Sequence, residues 1–273
     1  MTAIIPKIQN LSKGVIRVLG CNPSPMTLQG TNTYIIGSGK RWCFSEYIKN
    51  LVYASQQEGF TLSDIIITHW HQDHIGGIQS VLEAFPSQRQ LIRIHKFPLP
   101  EKDPQNQSFL SLENGQILRP DSNSSLQVVY TPGHTTDHII LNFLEEGIVF
   151  SGDCVLGEGT AVFEDLKDYL KSLSDIIQLS PRPFIPGMLN YYIAHRNMRE
   201  EQILAAFRDK SSLSIMELVK IMYSDLQGNL VFAAAINVRH HLKKLCQDGV
   251  LEEDSGDESL YKLKICEVYN IHM

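Results

Sequence analysis

Residues 68–77 read Thr-His-Trp-His-Gln-Asp-His-Ile-Gly-Gly and follow directly on the apolar β-branched run Ile65-Ile66-Ile67. Such a run favours a buried strand, so the chain must fold with that strand ending at a cleft that accepts His69, His71, Asp73 and His74. Side chains at i and i+2 of extended backbone share a face. His69 and His71 are therefore expected to project together from the strand end. Asp73 and His74 follow on a turn that Gly76 and Gly77 can close. Three imidazoles and a carboxylate make a ligand set suited to Zn²⁺. The bland reading is a solvent-exposed His-rich loop, and two further segments weigh against it.

Those segments are Thr131-Pro132-Gly133-His134-Thr135, after Leu126–Tyr130, and Ser151-Gly152-Asp153-Cys154, after Gly147–Phe150. Each places one ligand-type residue at a strand end. Alone, a Pro-Gly or Gly-Asp pair is an ordinary turn. Their order and shared strand-end context make His134 and Asp153 candidate members of one cluster with His69, His71, Asp73 and His74.

At 273 residues the chain can bury one large core, or a core plus a small domain. A hydrophobic fraction of 43% and a charged fraction of 20% fit a soluble globular protein. No apolar run approaches the ~20 residues of a membrane span. The start, Met1-Thr2-Ala3-Ile4-Ile5-Pro6, has neither the basic n-region of a signal peptide nor an Arg-rich transit signal. Five scattered cysteines without a CxxC pair point to free thiols in a reducing compartment. A net charge of −6 argues against strong sequence-independent binding of duplex nucleic acid, while leaving room for single strands in a local groove.

Pattern divides the chain in two. Residues 1–195 alternate strand-like runs (15–19, 32–36, 64–68, 126–130, 138–143, 147–151) with helical stretches at 45–57, 77–84 and 164–178. The Pro-, Asn-, Gln- and Ser-rich stretch 98–125 reads as loop. Residues 196–273 begin with a connecting helix over 196–209. A helix opened by a Ser214/Glu217 capping box follows. Another spans 231–248 and stops at Gly249, and a hairpin runs from Val250 to Leu263. Helix, helix and hairpin is a winged-helix-like order, with a purely structural cap as the alternative. Arg239, His240, His241, Lys243 and Lys244 form a basic stretch that reads either as a solvated face or as an RNA contact. Pattern alone supports only an α/β or α+β class.

The ligand segments, taken together, resemble the metallo-β-lactamase fold superfamily. Further runs are similar to its β-lactamase-like protein 2 family. These are Leu19-Gly20-Cys21-Asn22-Pro23, Met26 to Tyr34, Thr68-His69-Trp70-His71, Ser151 to Gly159, Val162-Phe163-Glu164-Asp165-Leu166 and His195-Arg196-Asn197. The resemblance covers nearly the whole chain. It implies an αββα sandwich over 1–195 followed by a small winged-helix-like domain over 196–273. It also implies a zinc-dependent endoribonuclease acting on single-stranded RNA. No membrane association is expected from the lack of a long apolar run, and no obligate protein partner is evident in the sequence. The first zinc site would be His69, His71 and His134. The second would be Asp73, His74 and Asp153, with Asp153 bridging and Asp73 acting as catalytic residue on the metal-activated water. The family works in the mitochondrial matrix, and the N-terminus leaves the cytosol as the alternative.

Two departures stand against that pattern. The family's Asp-Thr-Gly turn is missing where Lys40-Arg41-Trp42-Cys43-Phe44 runs into Ser45, with at most a short strand over 41–44. The family's final ligand His, in a Pro-Gly-His-Gly turn, is replaced at Ile185-Pro186-Gly187-Met188. A thioether is a poor zinc ligand, so one zinc ion is expected to bind tightly and the second weakly. His195 is the remote candidate to replace the lost ligand. The competing functions are a thioester- or lactam-type hydrolase using the same cage, and a catalytically degenerate member.

Overall fold

The computed structural model describes residues 4–24, 27–37, 46–156, 161–179, 186–224, 228–254 and 257–264. The expected strand over 41–44 lies outside them. Strands β1 (Ile8–Asn10), β2 (Val15–Leu19) and β3 (Asn32–Ile36) form an antiparallel sheet in that order. Helix α1 (Glu46–Glu58) leads to β4 (Asp64–Ile67), the short α2 (Gln72–Ile75) and α3 (Ile78–Ala84). Strand β4 pairs in parallel with β5 (Arg93–Lys96), which pairs with β6 (Leu110–Ser111). An antiparallel meander follows: β7 (Ile117–Asp121), β8 (Ser124–Tyr130), β9 (Ile139–Phe143) and β10 (Ile148–Phe150).

The burial pattern explains the layering. In β9, Ile139, Leu141 and Phe143 face a core shared with Val15 of β2 and Val128 of β8. Ile140 points the other way, into a core with Phe163 and with α4 (Leu166–Gln178) and α5 (Pro186–Ala206). A strand buried on both faces loses the alternation of a half-exposed one, and all but one residue of β9 is buried. On the far side, α1 and α3 cover β4 and β5 through Leu51, Val81, Leu82, Ile67 and Ile94. The order helix, sheet, sheet, helix is the αββα sandwich.

The stretch 98–125 is not all loop. Strand β7 occupies 117–121 at the sheet edge, where Pro120 costs no ladder bond. Helix α5 begins at Pro186, ten residues before the expected connecting helix, and runs unbroken across the 195/196 boundary. Proline at the first helical position loses nothing, because that N–H has no intrahelical acceptor.

Beyond α5 lie β11 (Leu213–Ser214), α6 (Ile215–Met222), α7 (Asn229–Gln247), β12 (Leu251–Asp254) and β13 (Asp257–Leu263). The capping box is present: the Ser214 hydroxyl accepts from the Glu217 N–H, and the Glu217 carboxylate accepts from the Ser214 N–H. Ile203 and Phe207 from the α5 end pack with Leu218, Val238, Leu242 and Leu251. Among the described residues, no helix is long and apolar enough to cross a membrane, and Cys21, Cys154 and Cys246 are free thiols.

The basic stretch of α7 is largely consumed inside the protein. Lys243 Nζ donates to Asp165 at 2.7 Å, Lys244 to Glu200 at 2.8 Å and Asp248 at 2.9 Å, and His241 is buried beside Glu200. His240 packs edge-on against Phe163. Through Lys243 and His240, α7 thus docks onto the first domain. Asp165 is the hinge of that contact, because its carboxylate also caps α4 through the N–H groups of Lys167 and Asp168. Asp165→Ala is expected to cost about 1 kcal/mol from the lost cap alone, with more from the domain contact. Asp165→Asn, which can still cap, should fall between, as thermal melts of the three proteins would show.

Candidate metal centre

Strand β4 ends at Ile67, and the Thr68 carbonyl accepts the Ile139 N–H at 2.9 Å. That one bond brings the entry to β9, and with it the 131–138 loop, beside His69. The His71 carbonyl accepts from the N–H groups of His74 and Ile75, so the chain turns at once and presents Asp73 and His74 to the same cleft. Gly133 (φ +125°) lets the His134 loop lie on α4, since a Cβ there would sit 2.2 Å from the Tyr169 nitrogen.

Three ring nitrogens converge. His69 Nε2 is 3.0 Å from His71 Nδ1, and His134 Nε2 is 3.3 Å from the first and 3.0 Å from the second. His134 Nδ1 donates to the Val162 carbonyl at 2.7 Å, so its Nε2 carries a lone pair into the cluster. Asp153 completes the group, with all four ligand atoms within 4.8 Å of one another. Tetrahedral nitrogens each ~2.0–2.1 Å from one ion stand about 3.3 Å apart, so these residues fit a metal ion.

A second nest adjoins the first. His74 Nε2 lies 3.4 Å from Asp73 Oδ2 and 3.4 Å from Asp153 Oδ1, while Asp153 Oδ2 faces His134 Nε2 at 3.8 Å. Asp153 thus directs one oxygen to each nest. The buried His74 Nε2 has no hydrogen-bond partner, and Asp73 is held by the Thr31 hydroxyl at 2.8 Å. All six expected ligands lie together. His195 lies apart, its ring beside Tyr191. Met188 lies in the first turn of α5, and its side chain is outside the described residues.

Electrostatics distinguish the nests. Burial, then the neighbouring imidazoles, push His69 far below its usual value, so it is a neutral donor. Burial also opposes a charge on His74, but the carboxylates of Asp153 and Asp73 outweigh it and raise the group to about 9. Metal-free protein therefore holds a proton on His74 at neutral pH, and a ligand must give it up. Affinity of the second nest is expected to rise with pH until about 9. Calorimetric titration at pH 7 in buffers of different ionisation enthalpy should register about one proton released at that nest.

Sequence reasoning passed over two groups. His138 is fully buried against His69 and His134. Its only sequence signal is a lone polar residue opening an apolar strand. Lys96 is also fully buried, with its ammonium 2.6 Å from both Asp103 and Asp137. It ends β5, so it stands beside the 131–138 loop that carries Asp137.

Comparisons agree with this architecture. The metallo-beta-lactamase superfamily pattern matches residues 28–187, and the beta-lactamase associated winged helix domain matches 214–259. A "Beta-lactamase-like protein 2 homolog" of Drosophila melanogaster is 43% identical, covering 95% of this chain and 97% of its own. An "Atrochrysone carboxyl ACP thioesterase" of Aspergillus fumigatus is 34% identical, covering 75% and 68%. The crystal structure of a beta-lactamase domain protein from Burkholderia ambifaria superposes with a TM-score of 0.75 at 18% identity, covering 97% of this chain and 96% of that one. With the sandwich, the winged helix and the His/Asp cluster all in place, the chain belongs to the metallo-β-lactamase superfamily and is similar along most of its length to the β-lactamase-like protein 2 homologues.

Proposed function

We propose that the protein is a zinc-dependent endoribonuclease that hydrolyses single-stranded RNA. The observation that carries this reading is the paired nest with Asp153 directed to both halves. Two metal ions held there would activate a water and neutralise charge on a phosphodiester. The chain's own groups do the rest. His69, His71 and His134 present neutral lone pairs, and Asp153 fixes the spacing of the two nests. Asp73, paired first with the His74 imidazole and also hydrogen-bonded by the Thr31 hydroxyl, is held well below the usual carboxylate range. It is ionised at neutral pH and exposed on the solvent side, where it would position the water and take its proton. Zinc is favoured by the nitrogen-rich set with one shared carboxylate. Because Met188 stands where a ligand His is expected, the second ion should bind more weakly than the first. The mitochondrial matrix is the proposed compartment, which fractionation would check.

A second reading, a thioester hydrolase, is favoured by the 34% identical relative named as an acyl-carrier thioesterase. One experiment separates the readings: zinc content per chain, measured alongside hydrolysis of a labelled single-stranded RNA and of an acyl thioester. Chelator-sensitive RNA cleavage supports the first reading. Thioester hydrolysis without RNA cleavage would overturn it in favour of the second. Metal bound with neither activity would mark a degenerate member.

A further inference from the structure

His138 is a fully buried imidazole packed against the ligands His69 and His134 and not itself one of the expected ligands. Its Nε2 accepts the backbone N–H of Asp153 at 3.1 Å. That bond leaves no proton on Nε2, so the neutral ring carries its proton on Nδ1 and donates to the Thr131 hydroxyl at 2.9 Å. Both ring nitrogens are therefore used, and neither is free to ligate. The ring centroid is 5.2 Å from that of His69 and 5.7 Å from that of His134.

The backbone that carries Asp153 is pressed onto this ring. Asp153 sits in the single 3₁₀ turn Gly152–Cys154. Gly152 has φ +48°, and a Cβ there would lie 2.6 Å from His138 Nε2. Side chain and turn are thus in contact from both directions, one through a hydrogen bond and one through the absence of a side chain. The carboxylate of Asp153 is two bonds from the Cα beside the anchored nitrogen, so holding that nitrogen fixes the point from which the carboxylate reaches the two nests.

We propose that His138 is a positioning residue: by accepting the Asp153 N–H it aims the carboxylate shared by the two nests. The inference rests on the metal-binding part of the proposed function and not on the identity of the substrate.

The test uses the full chain with His138→Gln, His138→Leu and Gly152→Ala. Zinc affinity is measured by competition with a chromophoric chelator, and melting temperatures with and without zinc. Gln can place a carbonyl oxygen where Nε2 stood, and Leu cannot. His138→Leu is expected to weaken zinc about 10–100-fold, the usual effect of losing a group that orients a ligand, and to shrink the zinc-induced rise in melting temperature. His138→Gln should recover most of both, and Gly152→Ala should weaken zinc by pushing the turn off the ring. Native affinity in His138→Leu, or equal loss in Leu and Gln, would overturn the proposal. If the Leu protein fails to fold, the other pair decides: native-like Gln with weakened Gly152→Ala supports it, and native affinity in Gly152→Ala overturns it. Absence of zinc binding by the native protein would overturn both this inference and the metal reading beneath it.

Discussion

His134→Ala should lower metal affinity by more than the ~10–100-fold typical of an orienting neighbour, because it deletes a direct donor. His69 and His71 come from one strand end, so they alone cannot close a tetrahedral site. His134 supplies the third nitrogen from a different sheet, and its bond to the Val162 carbonyl fixes the tautomer that points Nε2 inward. Its removal also takes away the imidazole that Asp153 Oδ2 faces. Whichever hydrolysis the native protein performs should be lost with the metal. Metal content per chain, with circular dichroism to confirm the fold, would check this. Retention of native metal content by the variant would show that the four-residue cluster is not the binding site.

Lys96→Met is expected to destabilise the protein by about 3–5 kcal/mol, the usual result of removing one member of a buried ion pair. The substitution keeps most of the side-chain volume, so the cost lies in the carboxylates. Asp137 is wholly buried and would keep only the Thr135 hydroxyl on its other oxygen. Asp103, which also accepts the Leu99 N–H, is partly exposed and can recover some hydration. Asp137→Asn in the Lys96→Met background should therefore restore more stability than Asp103→Asn does. Urea denaturation midpoints of the three proteins would settle the order. Lys96 also joins the segment after β5 to the loop carrying His134, so the Lys96→Met protein should bind metal more weakly than its loss of stability alone explains.

The ligands were legible because their local geometry is short-range. The i, i+2 spacing of His69 and His71 and the tight turn before His74 depend on neighbours in sequence. The strand-end context of His134 and Asp153 was legible too, but not which oxygen of Asp153 would face which nest. His138 was invisible for a different reason: its value lies in a backbone N–H fifteen residues away, and no periodicity records such a bond. Strand β7 was hidden by Pro120 and its polar neighbours, which an edge position tolerates. The start of α5 carried a usable sign, Pro186 at the first helical position, overridden by the turn-like reading of the Pro186-Gly187 pair. The basic residues of α7 show the limit of charge reading. A run of cations looks like an anion-binding face until Asp165 and Glu200 are found opposite it and Asp248 one turn further along, at the C-cap of the same helix.

Helix α5 has a thermodynamic consequence. At 21 residues it is about 30 Å long. Leu189 and Tyr192 near its start belong to the core under β9, while Ile203 near its end belongs to the core of the winged module. One rod completes both hydrophobic interiors, so neither can melt without stripping contacts from the other. Calorimetry should show a single cooperative endotherm. Cutting the chain within α5 should release two unstable halves in place of two independent domains.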